Sequence, residues 1–397
     1  MVLKAFKLRL YPNKTQRNPI HVNFGCARFV WNQMLNMHIE RYKNNRKAKF
    51  QGRYAMDVML KALKIEYPWL KQAESTSLQR VNRDLDDAFQ RFFNHSLQNG
   101  FPRFKSKKNT NQSYTSKFVN NNIRIIDEHH IKLPKLGLVY FKAGRILNGK
   151  IRAVTVSVNS RKQYQASILV ESENQTFKKT KKSVGIDLGL KSLTVTSDGQ
   201  KEDILNVDDK LNKQLRIWER KKSRRYENAK KAMAFDEHDK VLFPRTDLKQ
   251  FPRYQQAVRT VAKLKKHIAE RRRDNLHKLT TRLVKDYDTI VVENLSVKNM
   301  MKNHHLSASI ANASWGTLIS QLKYKCAWYG KQLIIIDPKN TSRICHECKQ
   351  KNHEFDSLSQ SEWLAAREWD CPNCHAHLDR DVNAVKNILA KGLETLA

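Results

Sequence analysis

Residues 183–190 read Ser-Val-Gly-Ile-Asp-Leu-Gly-Leu, one acid among aliphatic side chains with a glycine two residues away on either side. With SLTVTSDG at 192–199, the stretch predicts two strands joined by a tight turn. A carboxylate at Asp187, set among valine and isoleucine on a buried strand, is costly unless paired, hydrogen-bonded or bound to a metal. A second acid of this kind, Glu293, ends the strand TIVVE at 289–293. Two more, Asp379 and Asp381, open a helix predicted over DRDVNAVKNILAKGL at 379–393. Each acid alone also has an ordinary reading: Asp187 starts a turn, Glu293 ends a strand, Asp379 caps a helix. The glycines Gly185 and Gly189 fit a strand that a nucleic-acid backbone approaches closely.

Charge narrows the class of partner. Seventy-five Lys and Arg against 38 Asp and Glu leave a formal +37 over 397 residues. That excess repels itself unless a polyanion neutralises it. The basic residues run along most of the chain, so extended nucleic acid is the expected partner. A ribosomal-type protein or a merely basic surface are the bland alternatives, and charge alone does not exclude a membrane surface. No apolar run approaches the roughly 20 residues a membrane span needs. The start, MVLKAFKLRLYPN, lacks an apolar signal core, so a cytoplasmic, nucleoid-associated protein with no membrane partner is expected.

The six cysteines divide by spacing. Cys26 and Cys326 stand in apolar surroundings as small buried hydrophobes. Cys345 and Cys348 form one Cys-x-x-Cys pair and Cys371 and Cys374 another, with twenty-two residues (349–370) between the pairs. Two such knuckles supply four thiolates for a structural zinc that folds the segment and leaves no open position. Iron–sulfur ligation and redox chemistry are the alternatives, and His346, His375 and His377 lie near enough to replace a thiolate.

Working outward, KAFKLRLYPN at 4–13 alternates and predicts a strand ending in a turn. A helix is predicted from about Pro19, as a first-turn proline, to Tyr42. Another runs from about Ser77 to Phe93, where Leu78, Val81, Leu85, Phe89 and Phe92 make one buried stripe. The loop at 100–114 interleaves Phe101, Phe104 and Tyr114 with Arg103, Lys105, Lys107 and Lys108. That composition suits single-stranded nucleic acid, or equally a solvated connection. Short strands between Phe118 and Val170 (IRII, HIKLP, VTVSV, YQASILV) suggest a small β-barrel. A polar, lysine-rich linker at 173–183 marks the clearest boundary. Beyond it a basic helical region spans about Asp208 to Asp286, broken near Phe243–Thr246 and Phe251–Pro252. A helix over Leu318–Tyr329 and a strand over LIIID at 333–337 follow.

The acids stand in the order hairpin strand, later strand, C-terminal helix, which resembles the RNase H-like nuclease fold of the RuvC type. In such sites carboxylates hold two divalent ions, and oxygen ligands favour Mg2+ or Mn2+. Collinear motifs along nearly the whole chain resemble the TnpB family of bacterial insertion sequences, which is related to type V CRISPR effectors. They are KLRLYPNKTQ, FGCARFVWNQML, LQRVNRDLDDAFQRFF, FPRFKSKK, GIDLGLKSLTVTSDG, RRRDNLHKLTTRLV, IVVENLSVKNM, ASWGTLISQLKYKCAWYG, TSRICHEC, CPNC and DRDVNAVKNI.

The resemblance implies a multidomain α+β protein. Residues 1–172 would form a wedge β-barrel with a helical recognition domain inserted at about 14–105. Residues 173–397 would form the nuclease domain, with a zinc ribbon inserted at 341–378. It implies Asp187, Glu293 and Asp381 as the catalytic magnesium ligands, Asp379 being left to cap the helix. It also implies a guide RNA from the same element, double- and single-stranded DNA as target, and a functional link to the element's transposase. Arg103, Phe104, Lys105, Lys107 and Arg272 are candidate nucleic-acid contacts, and Tyr54, Gln79 and Asn82 candidate readers of a flanking DNA motif. Where the family has glycine after each cysteine pair, this chain has Lys349 and His375. The loop between the pairs is also long, and Pro19 is unusual for the first helix. The rival functions are a transposase performing strand transfer itself and a nuclease-dead, RNA-guided repressor; the second would have lost a triad acid.

Overall fold

Strand β1 (Val2–Leu10) carries the alternating start of the chain and buries Leu8 and Leu10. The computed structural model describes residues 1–397 except 98, 143, 145–146, 160, 175, 205–208, 233–247, 249, 304–305, 359–361, 363–366 and 397. Contacts divide the chain into two units, Met1–Asn174 and Gln175–Ala397. Among the described residues no helix is long and apolar enough to cross a membrane.

In the first unit, helix α1 (Lys14–Asn44) begins five residues before Pro19. Asn13 caps it, accepting from the Gln16 backbone at 2.8 Å while the Gln16 side chain accepts from the Asn13 N–H at 3.1 Å. This reciprocal capping box outweighs the proline as a start signal. Pro19 therefore lies inside the helix, a correction to its expected first-turn place. The buried Asn23 amide donates to the Pro19 carbonyl at 2.9 Å, and its oxygen accepts from the Glu74 N–H. Helix α2 (Arg53–Glu66) buries Met56, Leu60 and Leu63. Helix α3 (Ser75–Phe93) buries the predicted stripe of Leu78, Val81, Leu85 and Phe89.

Six more strands complete this unit: β2 (Gln112–Lys117), β3 (Arg124–Ile125), β4 (His130–Leu133), β5 (Gly137–Lys142), β6 (Lys150–Val158) and β7 (Tyr164–Ser172). Their order with β1 is β2-β6-β7-β1-β5-β4-β3, and every pairing is antiparallel. The expected barrel is not closed, since among the described residues no ladder joins β2 to β3. The β1–β5 ladder covers only Arg9 and Leu10, whereas β1 pairs with β7 along its whole length. Helix α1 packs on the sheet through Phe24 against Tyr114 and through Gln16, which donates to the Leu138 carbonyl.

The second unit is built on a five-stranded sheet of β8 (Ser183–Asp187), β9 (Ser192–Thr196), β10 (Lys201–Asp203), β11 (Thr289–Glu293) and β12 (Gln332–Ile336). Its order is β10-β9-β8-β11-β12; β8, β11 and β12 are parallel and β9 and β10 antiparallel to their neighbours. Between β10 and β11 run helices α4 (Asp209–Lys231) and α5 (Pro252–Asp286), joined by a Lys265–Glu219 ion pair at 2.7 Å. The predicted break at Phe251–Pro252 is the start of α5, while the one at Phe243–Thr246 lies outside the described residues. Short helices α6 (Val297–Met300) and α7 (Ser307–Ala313) lead into α8 (Trp315–Tyr329), which ends at Gly330 with φ 67°. A hairpin of β13 (Glu368–Asp370) and β14 (His377–Asp379) precedes the last helix, α9 (Arg380–Glu394).

One face of this sheet packs Val184, Ile186, Ile290 and Val292 against Leu276 and Leu283 of α5 and Leu318 and Leu322 of α8. The other packs Val291 and Ile336 against Ile388 of α9. Cys26 and Cys326 are buried, as their apolar surroundings indicated.

Candidate active site

Strand alternation decides which way each acid leaves the sheet. Val184 and Ile186 enter the α5–α8 core, so Gly185 and Asp187 belong to the opposite face. On β11, Ile290 and Val292 enter that same core while Val291 packs toward α9, and Glu293 follows the parity of Val291. The parallel ladder pairs Ile186 with Val292, so the next residue on each strand is an acid. Asp187 and Glu293 thus stand at the C-terminal ends of adjacent parallel strands, where the crevice of an α/β sheet lies.

Helix α9 brings the third acid to the same face. Asp379 is its N-cap, accepting from the Val382 N–H at 2.8 Å, and Asp381 sits in the first turn. A Cβ on Gly185 would lie 2.4 Å from the Val385 carbonyl oxygen and 2.8 Å from the Leu389 nitrogen. Gly392 meets Val291 as closely from the helix side. Gly185 therefore serves the seating of α9 on β8, a correction to its reading as room for a nucleic-acid backbone. Gly189, whose Cβ would meet the Ser192 carbonyl at 2.7 Å, serves the β8–β9 turn.

The acids sense one another. Burial, and then the charge of Asp381, push Asp187 up to about 6; a Leu188 backbone hydrogen bond and Arg380 pull the other way. Glu293 is 7% exposed, and burial raises it to about 7. The Thr341 hydroxyl opposes that rise and the charge of Asp187 adds to it. Asp381 lies 3.3 Å from an Arg380 nitrogen and 3.5 Å from one of Arg367. An all-oxygen set, raised by burial first and by neighbouring carboxylates second, fits a hard divalent cation. The three acids stand further apart than the thiols. Among the described residues, only the four cysteines form a set of three or more ligand side chains whose donor atoms all lie within 4.8 Å.

Those thiols converge from two knuckles. Cys345 Sγ is 3.7 Å from Cys374 Sγ, and Cys348 Sγ is 3.6 Å from Cys371 Sγ. A tetrahedron with metal–sulfur bonds of about 2.3 Å has edges of about 3.8 Å, so the set fits one metal ion and excludes disulfides. Each knuckle closes on its own backbone, Lys349 N–H to the Cys345 carbonyl at 2.9 Å and His375 N–H to Cys371 at 2.8 Å. Lys349 and His375 hold φ of 62° and 57°, the left-handed region where glycine costs least. The departure from the family pattern therefore carries strain without opening the site. Phe355, Trp369 and Leu378 form a small core beneath it. The middle of the long loop, at 359–361 and 363–366, lies outside the described residues.

The candidate nucleic-acid residues separate by exposure. Tyr54 is 74% exposed and Gln79 lies on the open side of α3. Asn82 is fully buried with its amide donating to Asp57, so it supports the helical core and its reading as a DNA contact is corrected. Arg103, Phe104, Lys105 and Lys107 are exposed on their loop. Asn32 anchors that loop by two hydrogen bonds to the Lys105 backbone, and the Lys105 ammonium lies 3.6 Å above the Trp31 ring. Arg272 donates to the Ala311 carbonyl and to the Asn312 side chain, so its guanidinium is committed to holding α7. Thr341, Asn383 and Asn387 are the contributors that sequence reasoning missed. Thr341 lay within TSRICHEC, and the two asparagines lie one helical turn apart.

Three family models match the chain: a helix-turn-helix domain at residues 1–47, a probable transposase at 167–304 and a Cas12f1-like TNB domain at 315–388. Residues 1–47 here form β1 and the single helix α1. A protein of Streptomyces pristinaespiralis named "Putative RNA-guided DNA endonuclease" is 33% identical over all of this chain and 91% of its own length. "Putative RNA-guided DNA endonuclease InsQ" of Escherichia coli K12 is 32% identical over all of this chain and 94% of its own. Among solved structures, a Cas12f1–guide RNA–target DNA complex aligns over 98% of this chain and 99% of its own at 13% identity. The mini RNA-guided endonuclease CRISPR-Cas_phi3 aligns over 98% and 92% at 10% identity. Their TM-scores are 0.35 and 0.40, at which level the likeness carries no weight. The two full-length relatives carry it instead, and by them the chain belongs to the TnpB family.

Proposed function

We propose that this protein is an RNA-guided DNA endonuclease that hydrolyses phosphodiester bonds at one RuvC-type site, with Asp187, Glu293 and Asp381 as its metal ligands. The observation that carries the reading is that sheet parity and the seat of α9 bring these three acids to one face of one sheet. The full-length relatives, whose names describe RNA-guided DNA endonucleases, support it. So does the +37 charge, which calls for a polyanion. Residues 173–397 then form an RNase H-like nuclease domain with a zinc ribbon at 341–378. Residues 1–172 form the wedge and recognition part, with about 14–105 as its helical insertion.

Asp187, Glu293 and Asp381 would hold two magnesium or manganese ions, which when bound would supply Lewis-acid activation of water and neutralise charge on the scissile phosphate. The chain's own residues do the rest. Raised carboxyls at Asp187 and Glu293 bind protons in competition with a cation, so cation binding should strengthen as pH rises toward neutrality. Asp379 fixes the first turn of α9 and with it Asp381. The four thiolates would hold zinc and leave it no open position, which would make that metal structural. Sequence selection falls to base pairing with a guide RNA drawn from the same element. The exposed Tyr54, Gln79 and the loop of Arg103, Phe104, Lys105 and Lys107 are offered to the flanking DNA motif and the RNA. A repressor that had lost its nuclease would not keep all three acids.

The test is to co-express the chain with the transcript flanking its gene, sequence the bound RNA, and offer the matching DNA with Mg2+. One RNA species ending in sequence outside the element, and cleavage that needs Mg2+, are expected. Random RNA, or none, would sink the guided reading.

A further inference from the structure

The triad accounts for three acids but not for what holds them. Glu293 ends its strand, so its side chain needs an anchor from elsewhere. That anchor is the stretch between β12 and the first knuckle. The Thr341 hydroxyl lies 2.5 Å from Glu293 Oε1 and 3.1 Å from the Pro338 carbonyl. It has one proton to give, and the carboxylate is the stronger acceptor. Both residues are 7% exposed, so little water competes. Among the described residues Oε2 of Glu293 has no protein hydrogen bond, which leaves it for a cation.

Thr341 is itself held. The Asn387 amide donates to its carbonyl at 3.0 Å and to that of Ile344 at 2.6 Å. One helical turn earlier, Asn383 donates to the Ile344 carbonyl at 2.8 Å and accepts from the His346 N–H at 2.8 Å. Both asparagines lie on α9, the helix whose first turn carries Asp381. Lys391 of the same helix and Asp337 after β12 are the other charged groups facing Glu293. One helix therefore places two acids, Asp381 directly and Glu293 through Asn387 and Thr341.

The geometry points to Thr341 as a positioning residue for Glu293, held by Asn387 so that the base of the ribbon sets the orientation of a metal-binding carboxylate. The inference rests on the nuclease reading above. Thr341→Val keeps the shape and removes the donor. Its half-saturating Mg2+ for guided cleavage rises about 10-fold, the effect usual for a partner behind a metal ligand. Saturating Mg2+ restores most of the rate, while bound zinc and RNA are unchanged. Thr341→Ser keeps the donor and stays close to wild type. A readout apart from activity is the melting temperature of the RNA-free protein with and without millimolar Mg2+. Wild type and Thr341→Ser show an upward shift, and Thr341→Val a smaller one. Should valine not fold, Asn387→Ala, which loosens Thr341 without altering it, must show the same weakened Mg2+ response.

A Thr341→Val protein with wild-type Mg2+ dependence in both assays overturns the inference and leaves the nuclease reading intact. So does equal impairment of valine and serine, which would mean a packing role. A wild type that neither cleaves nor responds to Mg2+ overturns the nuclease reading, and this inference with it.

Discussion

The four thiols and the three acids are both sets of anionic ligands in one unit, yet they are assembled in opposite ways. The thiols come from residues 345 to 374 and meet within 4.8 Å, each pair closed by its own knuckle. The acids come from residues 187 to 381, on two strands and a helix, and stand further apart. A set built from local turns supplies four thiols at once and suits a closed, four-coordinate structural ion. A set built from the ends of long elements is brought together only by the tertiary fold. The difference also appears in the cost of emptiness. Asp187 and Glu293 are pushed up by burial and then by neighbouring negative charge, so leaving the acids empty carries a cost that a bound cation would relieve.

The comparison breaks first at the thiols. Cys371→Ser should lose bound zinc and cost on the order of several kcal/mol of stability, because metal affinity in such ribbons is folding free energy. Metal analysis of the purified variant checks it, and zinc content equal to wild type would contradict a closed four-thiolate site.

The acids should behave in the reverse sense. Their folded pKa values lie above the ordinary ones, so the folded protein binds more protons than the unfolded chain between about pH 4 and pH 7. Stability without divalent ions therefore falls as pH rises through that window, and the full cost stands above it. Asp187→Asn removes part of that cost, so it should stabilise the metal-free protein by about 1–3 kcal/mol at pH 7.5 and by little at pH 4. Denaturant melts at the two pH values, in buffer without Mg2+ or Mn2+ and with no chelator, test this. A destabilised variant at pH 7.5 would mean that the carboxylate is already paired.

The smallest effect sharpens the thiol side. Lys349 and His375 are held in the left-handed region, so glycine at either place should add up to about 1 kcal/mol, offset in part by the freer unfolded chain. Resistance of the ribbon to a zinc chelator is the sensitive measure, and weakened resistance would show that these side chains do more than tolerate their turns.

How legible each region was follows from the same contrast. Cys-x-x-Cys spacing names the clustered thiols directly, because the knuckle is local. The acids are visible as charges out of place in apolar strands, but only the pairing of Ile186 with Val292 puts them side by side, and spacing says nothing of a ladder between residues 187 and 293. The stripe of α3 was readable from period alone, whereas α2 was missed: its Met56, Leu60 and Leu63 are too few among exposed Tyr54, Val58 and Ile65 to stand out. Asn82 looked like a surface amide until Asp57 took its hydrogen bond from another helix. Gly185 signalled close approach correctly, but the sequence does not say that the approaching backbone is α9. Thr341 stood within the motif TSRICHEC, but nothing there assigns it a role, which exists only through Glu293 and Asn387.

The central claim is that the three acids cut DNA. The most direct measurement compares wild type with Asp187→Asn, each loaded with the same guide RNA, on matching DNA in Mg2+. Cleavage lost by roughly a thousandfold or more, with RNA and target binding unchanged, is the predicted result. Cleavage that survives the substitution, or RNA binding lost along with it, would contradict the account.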